Sequence, residues 1–349
     1  MNYTEELKNL SLATGPSGFE FPVSEICAKI LAPYVDEVSC TELGNVIAVK
    51  RCGLENAKKL MLIAHIDEIG LIVTGYDEGF LRFASIGGVD RRMLPARELT
   101  ILTDPPLFGV VGAAAPHGLT AAAMTASIPM EDLRIDTGLS AEEARKKIPV
   151  GTPVSFRSPF FMLGDDVVCG KSFDDRACFM GIAAAAELLK GKDLPWDVYF
   201  VGSISEELGM RGAITAAYKV APDVCIAVDV CHAWTPDVSA KDYVSELGKG
   251  PTVTLGPNTC PPVVKRIREL AAKKRIPYQI DVAGGNTGTD AWTVQISRAG
   301  VATAVLSLPL RYMHTPQEAG SLKDIGLLAE LTAAFAEDPG EEVLSCLSI

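Results

Sequence analysis

The amino-acid sequence predicts an α/β protein, an α/β/α sandwich split by a smaller β-rich insert. Three observations carry that expectation. Lys59-Leu60-Met61-Leu62-Ile63-Ala64 is a near-continuous apolar run, the mark of a strand buried on both faces of a parallel sheet. From Val167 onward, strand and helix patterns alternate. Between these two regions, from Leu71 to about Leu163, the texture changes to short alternating strands spaced by Gly and Pro.

The chain has 349 residues, room for two domains or for one large domain carrying an insertion. Apolar spacing predicts helices over Leu7 to Leu12 and Val23 to Leu31, with Ser17-Gly18-Phe19-Glu20 as the loop between them. Val38 to Val49 reads as a hairpin turning at Leu43-Gly44-Asn45. The buried strand follows and ends at His65. Within the insert, strands are expected at Phe80 to Ile86, Glu98 to Leu102, Gly109 to Gly112 and Thr152 to Phe156, with a helix from Ala141 to Ile148. Beyond it, helix Arg176 to Leu189, strand Asp197 to Ile204, helix Gly212 to Lys219 and strand Val224 to Val230 resume the alternation. Helix Pro262 to Lys274, strand Tyr278 to Asp281, helix Ala291 to Ser297, strand Ala302 to Ser307 and helix Lys323 to Ala336 complete it. The expected division is therefore 1–70 and 164–349 as two parts of one sandwich domain, with 71–163 as an inserted β-rich domain of PDZ-like or barrel type.

Composition narrows the function. Lys and Arg number 32 against 44 Asp and Glu, a formal net charge of −12, the opposite of a nucleic-acid or anionic-membrane footprint. A hydrophobic share of 48% with 22% charged residues excludes wholesale disorder. Nine cysteines are scattered without a Cys-x-x-Cys pair, so neither a disulfide framework nor a thiolate zinc knot is expected, and Cys178 with the rest reads as a packing residue. With a polar N-terminus that lacks a signal-peptide profile, this composition points to the cytoplasm. The stretch from Pro105 to Met130 carries no formal charge, yet prolines and glycines interrupt it too often for a spanning helix. It reads as buried or interface-facing β and loop structure.

In an open α/β sheet, ligands gather beyond the carboxyl ends of the strands. There the sequence places His65-Ile66-Asp67, Ser205-Glu206-Glu207, Asp229 and Arg311-Tyr312-Met313-His314, while Ser172-Phe173-Asp174-Asp175-Arg176 opens the helix after the insert. Two imidazoles with several carboxylates and no thiolate suit zinc, cobalt or manganese. Five ligands that include one bridging carboxylate hold two ions about 3.5 to 4 Å apart, the spacing of two-metal hydrolases, and a sixth carboxylate is left for acid/base work. Taken singly, the pieces have plainer readings: a strand-end His as a satisfied structural residue, and Glu206-Glu207 or Asp174-Asp175 as charges that complement a helix dipole. Asp229 differs, because a carboxylate ending the apolar run Cys225-Ile226-Ala227-Val228 is costly without a partner or a metal. Their convergence on one sheet edge points to a metal site. His117 and His232 read as structural.

Ala64-His65-Ile66-Asp67-Glu68-Ile69-Gly70, Phe173-Asp174-Asp175-Arg176, Ser205-Glu206-Glu207-Leu208-Gly209-Met210-Arg211-Gly212-Ala213, Asp229, Gly288-Thr289-Asp290-Ala291 and Arg311-Tyr312-Met313-His314-Thr315-Pro316 closely resemble the tetrahedral aminopeptidases, also described as glutamyl aminopeptidases or cellulase-like proteins. The resemblance runs from Gly15 to the last helix. It implies a zinc-peptidase-like sandwich, a dinuclear metal-dependent aminopeptidase of peptides, and an insert through which dimers form and assemble into a hollow particle, a dodecamer. Position by position it makes Asp174 the bridging ligand, His65 and Asp229 the partners of one ion, Glu207 and His314 those of the other, Glu206 the general base toward a metal-bridging water, and Asp67 the carboxylate that orients His65. If the segment is extended, the adjacent Glu206 and Glu207 side chains point apart, one to a metal and one to the water. Departures are the uncharged stretch in the insert and Thr315 where Ser is common. Asp290, at the end of the Gly284 to Asp290 loop, reads equally as a helix N-cap or as a residue near substrate. Two other activities are weighed: a glycosidase, of a metal-dependent endoglucanase-like kind because ordinary glycosidases have no use for two imidazole ligands, and a non-catalytic assembly protein.

Overall fold

The computed structural model describes residues 1–118, 120–237, 239 and 245–346. Period-2 alternation within the apolar runs decides its layers. In strand Lys59–His65, Leu60, Leu62 and Ala64 face one core while Met61 and Ile63 face another; in strand Val224–His232, Ile226 and Val228 divide from Cys225 and Ala227 in the same way. Strands apolar on both faces need cover on both sides. Helices Tyr3–Leu12, Phe21–Leu31, Phe173–Leu189, Pro261–Lys274 and Leu322–Glu337 cover the first face, and Arg211–Val220 with Ala291–Val294 cover the second. The result is the expected α/β/α sandwich.

Its sheet runs in the order Glu37–Cys40, Val46–Lys50, Asp197–Ser203, Lys59–His65, Val224–His232, Ala302–Arg311, Glu318–Ser321, Val167–Gly170, Phe161–Leu163. The four strands from Asp197–Ser203 to Ala302–Arg311 are parallel, so their carboxyl ends share one edge. Thr252–Leu255 and Gln279–Val282 extend the sheet from the side of Ala302–Arg311. Among the described residues, no helix is long and apolar enough to cross a membrane, and the described cysteines are free.

The insert closes into a barrel of Gly70–Asp77, Phe80–Ile86, Arg134–Asp136, Leu107–Gly112, Glu98–Ile101 and Pro153–Phe156, filled by Leu71, Leu81, Leu99, Val111, Ile135 and Val154. Phe161–Leu163 pairs with Val167–Gly170 and belongs to the large sheet, although its texture groups it with the insert. Strands Arg134–Asp136, Thr252–Leu255 and Glu318–Ser321 carry no sequence expectation, because three or four residues are too few to display a period. In the uncharged stretch, Leu119 lies outside the described residues. The described side chains between 112 and 127 are exposed in the single chain, not buried, and Ala121–Thr125 forms a short helix where β and loop structure was expected, as its run of alanines favours.

One buried carboxylate joins the barrel to the sandwich. Glu68 Oε1 accepts from the Gly15 amide at 2.9 Å and from the barrel residue Ser155 Oγ at 2.9 Å. Its Oε2 accepts from Lys171 Nζ and Ser172 Oγ, and the Arg176 guanidinium lies 3.8 Å from Oε1. Burial opposes its charge, but Lys171 and Arg176 hold the Glu68 carboxyl down at about 2. Fully buried Arg176 in turn donates to the carbonyls of Ile66, Leu10 and Ala13. Removing one partner of such a group leaves buried charge uncompensated, so Glu68→Leu should lose about 3–5 kcal/mol of stability. Urea unfolding of the two proteins measures it, and an unchanged midpoint would contradict the central place given to Glu68.

Candidate metal centre

The alternation that builds the cores also places the first candidate ligands. His65 follows Met61 and Ile63 on the second face, and Asp229 follows Cys225 and Ala227 there. Ser203 pairs in register with His65, and Ser307 with Asp229. Ala227 pairs with Ile63, so two residues further on Asp229 stands level with His65. The covering helices stop short of this row, leaving a cavity of about 320 Å³ lined by His65, Asp174, Glu206, Glu207, Asp229 and His314 together with Asp281, Asn286 and Thr287.

The other residues arrive on loops bent away from regular structure. Asp174 and Asp175 begin helix Phe173–Leu189 with non-helical φ/ψ, after Ser172 at φ 60°, so they enter the site instead of extending along the helix. Glu206 and Glu207 stand in a tight turn in which the Gly209 and Met210 amides donate to the Glu206 carbonyl at 2.7 and 2.8 Å. This corrects the expectation of an extended segment. Positive φ at Ser205 bends the chain directly after the strand, and a carboxylate holds the turn: Asp67 Oδ1 accepts from the Glu206 amide at 3.0 Å and Oδ2 from the Glu207 amide at 3.2 Å. Ser17 Oγ donates to Asp67 Oδ2 at 2.5 Å, and His65 Nδ1 lies 3.4 Å from Oδ1.

Asp174 is the point of contact between the two imidazoles. Its Oδ1 lies 3.0 Å from His65 Nε2 and its Oδ2 3.2 Å from His314 Nε2, which is also 3.2 Å from Glu207 Oε1. Ligating atoms fall into two groups, His65 with Asp175 and Asp229, and Asp174 with Glu207 and His314, each within 4.8 Å. Asp175 is unanticipated in the first group. Its Oδ2 accepts from the His65 amide at 3.1 Å, while Oδ1 is buried without a hydrogen-bond partner among the described residues.

Charge explains why this arrangement fits cations. Burial raises the carboxyls of Asp175 and Asp229 well above their ordinary range and pushes Glu206 up to about 9, with neighbouring carboxylates adding to it. Burial opposes ionisation of Asp174 too, but hydrogen bonds from His314 and His65 hold it well below the usual carboxylate range. His314 is raised to about 11 by Asp174 and then Glu207; His65 is raised well above its usual value by Asp174 and Asp67 although burial alone would lower it. Crowded buried carboxylates, an orphaned acceptor and two imidazoles whose Nε2 atoms face oxygen ligands form a donor set suited to divalent metal.

All seven residues singled out from sequence converge here: His65, Asp67, Asp174, Glu206, Glu207, Asp229 and His314. Sequence reasoning missed Glu318. Its Oε2 accepts from the amides of Phe173 at 2.7 Å and Asp174 at 3.2 Å, and its Oε1 from the His314 amide at 3.1 Å, so one buried side chain ties together the loops carrying two site residues. Its place four residues after His314 was the available signal. Asp290 makes no side-chain cap; it is buried and accepts from Ser203 Oγ beneath the site. His232 is exposed at the wall of the cavity.

Fold and site together define a metallopeptidase of the α/β sandwich class. The chain belongs to the M42 family: the M42 glutamyl aminopeptidase model matches residues 44–331. Lysyl aminopeptidase of Pyrococcus furiosus is 37% identical over 340 residues, 96% of each chain. The TET aminopeptidase of Thaumarchaeota archaeon SCGC AB-539-E09 superposes with a TM-score of 0.92 at 30% identity, covering 99% of this chain and 98% of that one. The TET1 peptidase of Pyrococcus horikoshii, which can assemble into a tetrahedron or a large octahedral shell, has a TM-score of 0.84 at 31% identity, over 97% of this chain and 100% of that one. The protein is thus an aminopeptidase, and among the activities weighed from sequence, peptide hydrolysis stands. Divalent-metal use comes with the family.

A histidine must be neutral to ligate, so an ion bound at His314 displaces the proton that Asp174 and Glu207 hold there. Lowering pH restores that proton and opposes the ion. Apparent metal affinity should therefore rise with pH between 6 and 8, about tenfold per unit for each proton displaced. Competition against a chromophoric chelator reads the slope, and a flat profile would exclude His314 as a ligand.

Proposed function

We propose that the protein removes N-terminal residues from peptides one at a time at a centre of two divalent ions. His65, Asp229 and Asp174 hold one ion and Asp174, Glu207 and His314 the other, with Asp175 beside the first. The observation that carries this reading is the Asp174 carboxylate, which offers one oxygen toward each histidine. When bound, two ions of zinc, cobalt or manganese polarise a peptide carbonyl and lower the pKa of water.

The chain's own residues do the rest. Glu206 lines the cavity without joining either ligand group, and burial raises its hold on a proton. Beside two divalent ions that carboxyl would return toward ionisation near neutral pH, which suits a base that takes a proton from the attacking water and returns it to the leaving amine. Asp67 keeps His65 and the Glu206-Glu207 turn in place through one carboxylate. A carboxylate-rich wall also suits a free substrate ammonium, and the cavity of about 320 Å³ has room for a terminal residue.

Assembly is read from the insert, residues 71–163. The exposed described side chains between 112 and 127, all uncharged and including Met124, with Phe108 nearby, offer apolar surface that a lone soluble chain rarely leaves open. Self-association of dimers into a dodecamer through this domain, in the cytoplasm, is the corresponding proposal; free cysteines support the location.

Glu206→Gln should lose several orders of magnitude in kcat while keeping its metal, whereas Glu207→Gln should lose metal, read by elemental analysis beside the rate. Near-normal rates in both variants would reject these roles. Free peptides should be shortened from the N-terminus and their acetylated forms left intact, with chelator abolishing activity and added metal restoring it. Light scattering should report a multiple of 37.1 kDa; a fully active monomer would remove the role assigned to the insert.

A further inference from the structure

The barrel strand Phe80–Ile86 ends in Gly87-Gly88, and this turn reaches the catalytic cavity from the other domain. The Gly88 carbonyl lies 3.1 Å from His314 Nδ1. A carbonyl can only accept, so Nδ1 carries the hydrogen and Nε2 is left to face Asp174 and Glu207. The approach is close enough to require glycine at both positions. A Cβ on Gly88 would stand 2.7 Å from His314 Nδ1 and 3.0 Å from its Cε1; one on Gly87, at φ +74°, would stand 2.9 Å from Glu207 Oε2.

We infer that the inserted barrel is a working part of the metal centre: its Gly87-Gly88 turn positions His314 and Glu207 and selects the His314 tautomer. The inference rests on reading those two residues as ligands of the second ion. It gives the insert a role inside each chain, separate from assembly. The barrel is held to do so by two hydroxyls on its returning stem. Ser155, in its last strand, donates to Glu68, and Ser158 just beyond it donates to the carbonyl of Pro316, two residues after His314. A tilt of the barrel therefore moves the acceptor that orients one ligand.

The test is zinc titration of the full-length protein by calorimetry. Gly88→Ala should weaken one of two ions by about 10- to 100-fold, the usual cost of disturbing a group that orients a ligand, and leave the other unchanged. Its kcat on an unblocked dipeptide should fall more than its KM changes. Lys146→Ala, on the exposed face of helix Ala141–Lys147 in the same insert, should leave both affinities as in the wild type. Wild-type affinities and kcat in Gly88→Ala would overturn the inference, as would an equal loss in Lys146→Ala. Should Gly88→Ala fail to fold, the tautomer is read directly in zinc-loaded wild type by solid-state 15N spectra of histidine-labelled protein, using His314→Asn to assign the signal. A protonated Nδ1 supports the inference and a protonated Nε2 overturns it. A wild type that binds a single ion, or cuts no free N-terminus, would instead reject the proposed function.

Discussion

Burying several carboxylates beside one another at the edge of a sheet is the constraint on which this structure turns. Each charge removed from water must meet a cation, a donor or a proton. The chain answers in two ways. Glu68 meets Lys171, Arg176, two hydroxyls and an amide, and is held ionised. Asp175, Asp229 and Glu206 have no comparable set, and burial raises them. The first network is therefore complete as built and serves stability, whereas the second is complete only with added positive charge.

The two networks meet at consecutive residues. His65 and Asp67 belong to the proposed metal centre and Glu68 to the inter-domain clamp, while Ser172 touches Glu68 two residues before Asp174. One or two residues of chain therefore separate a group of one network from a group of the other. Arg176 reinforces this by donating to Ile66 O, between His65 and Asp67, from the helix that Asp174 begins. The geometry of the ligands is consequently set by packing deep in the sandwich as well as by contacts among themselves.

How much of this is legible in the sequence depends on whether the signal is local. Apolar runs of six or more residues reveal the central strands, and their ends locate His65 and Asp229, because a period of two continues past the last apolar residue. Helix Ala291–Val294 is shorter than its pattern suggests, and Asp290 beside it serves Ser203 instead of the helix end. The Glu206-Glu207 turn is invisible locally: its bend depends on Asp67, which is 139 residues earlier. Glu318 escapes for a related reason, since its partners Phe173 and Asp174 are 145 and 144 residues away. Family resemblance names candidate ligands, but it does not name the groups that hold their backbones.

Gly88 is the extreme case, separated from His314 by 226 residues and by a domain boundary. Nothing in Gly87-Gly88 distinguishes it from an ordinary hairpin exit until the barrel is docked. The point of insertion then acquires a physical reason. The insert leaves the sandwich directly after the strand that carries His65 and returns before the helix that carries Asp174, so both of its stems rise from the ligand-bearing edge. A domain placed at any other loop could mediate assembly equally well. Only one rooted at this edge can press a backbone carbonyl against a ligand, and only glycine lets it approach so closely. The same rooting means that the proposed contact between barrels of neighbouring chains would act close to His314.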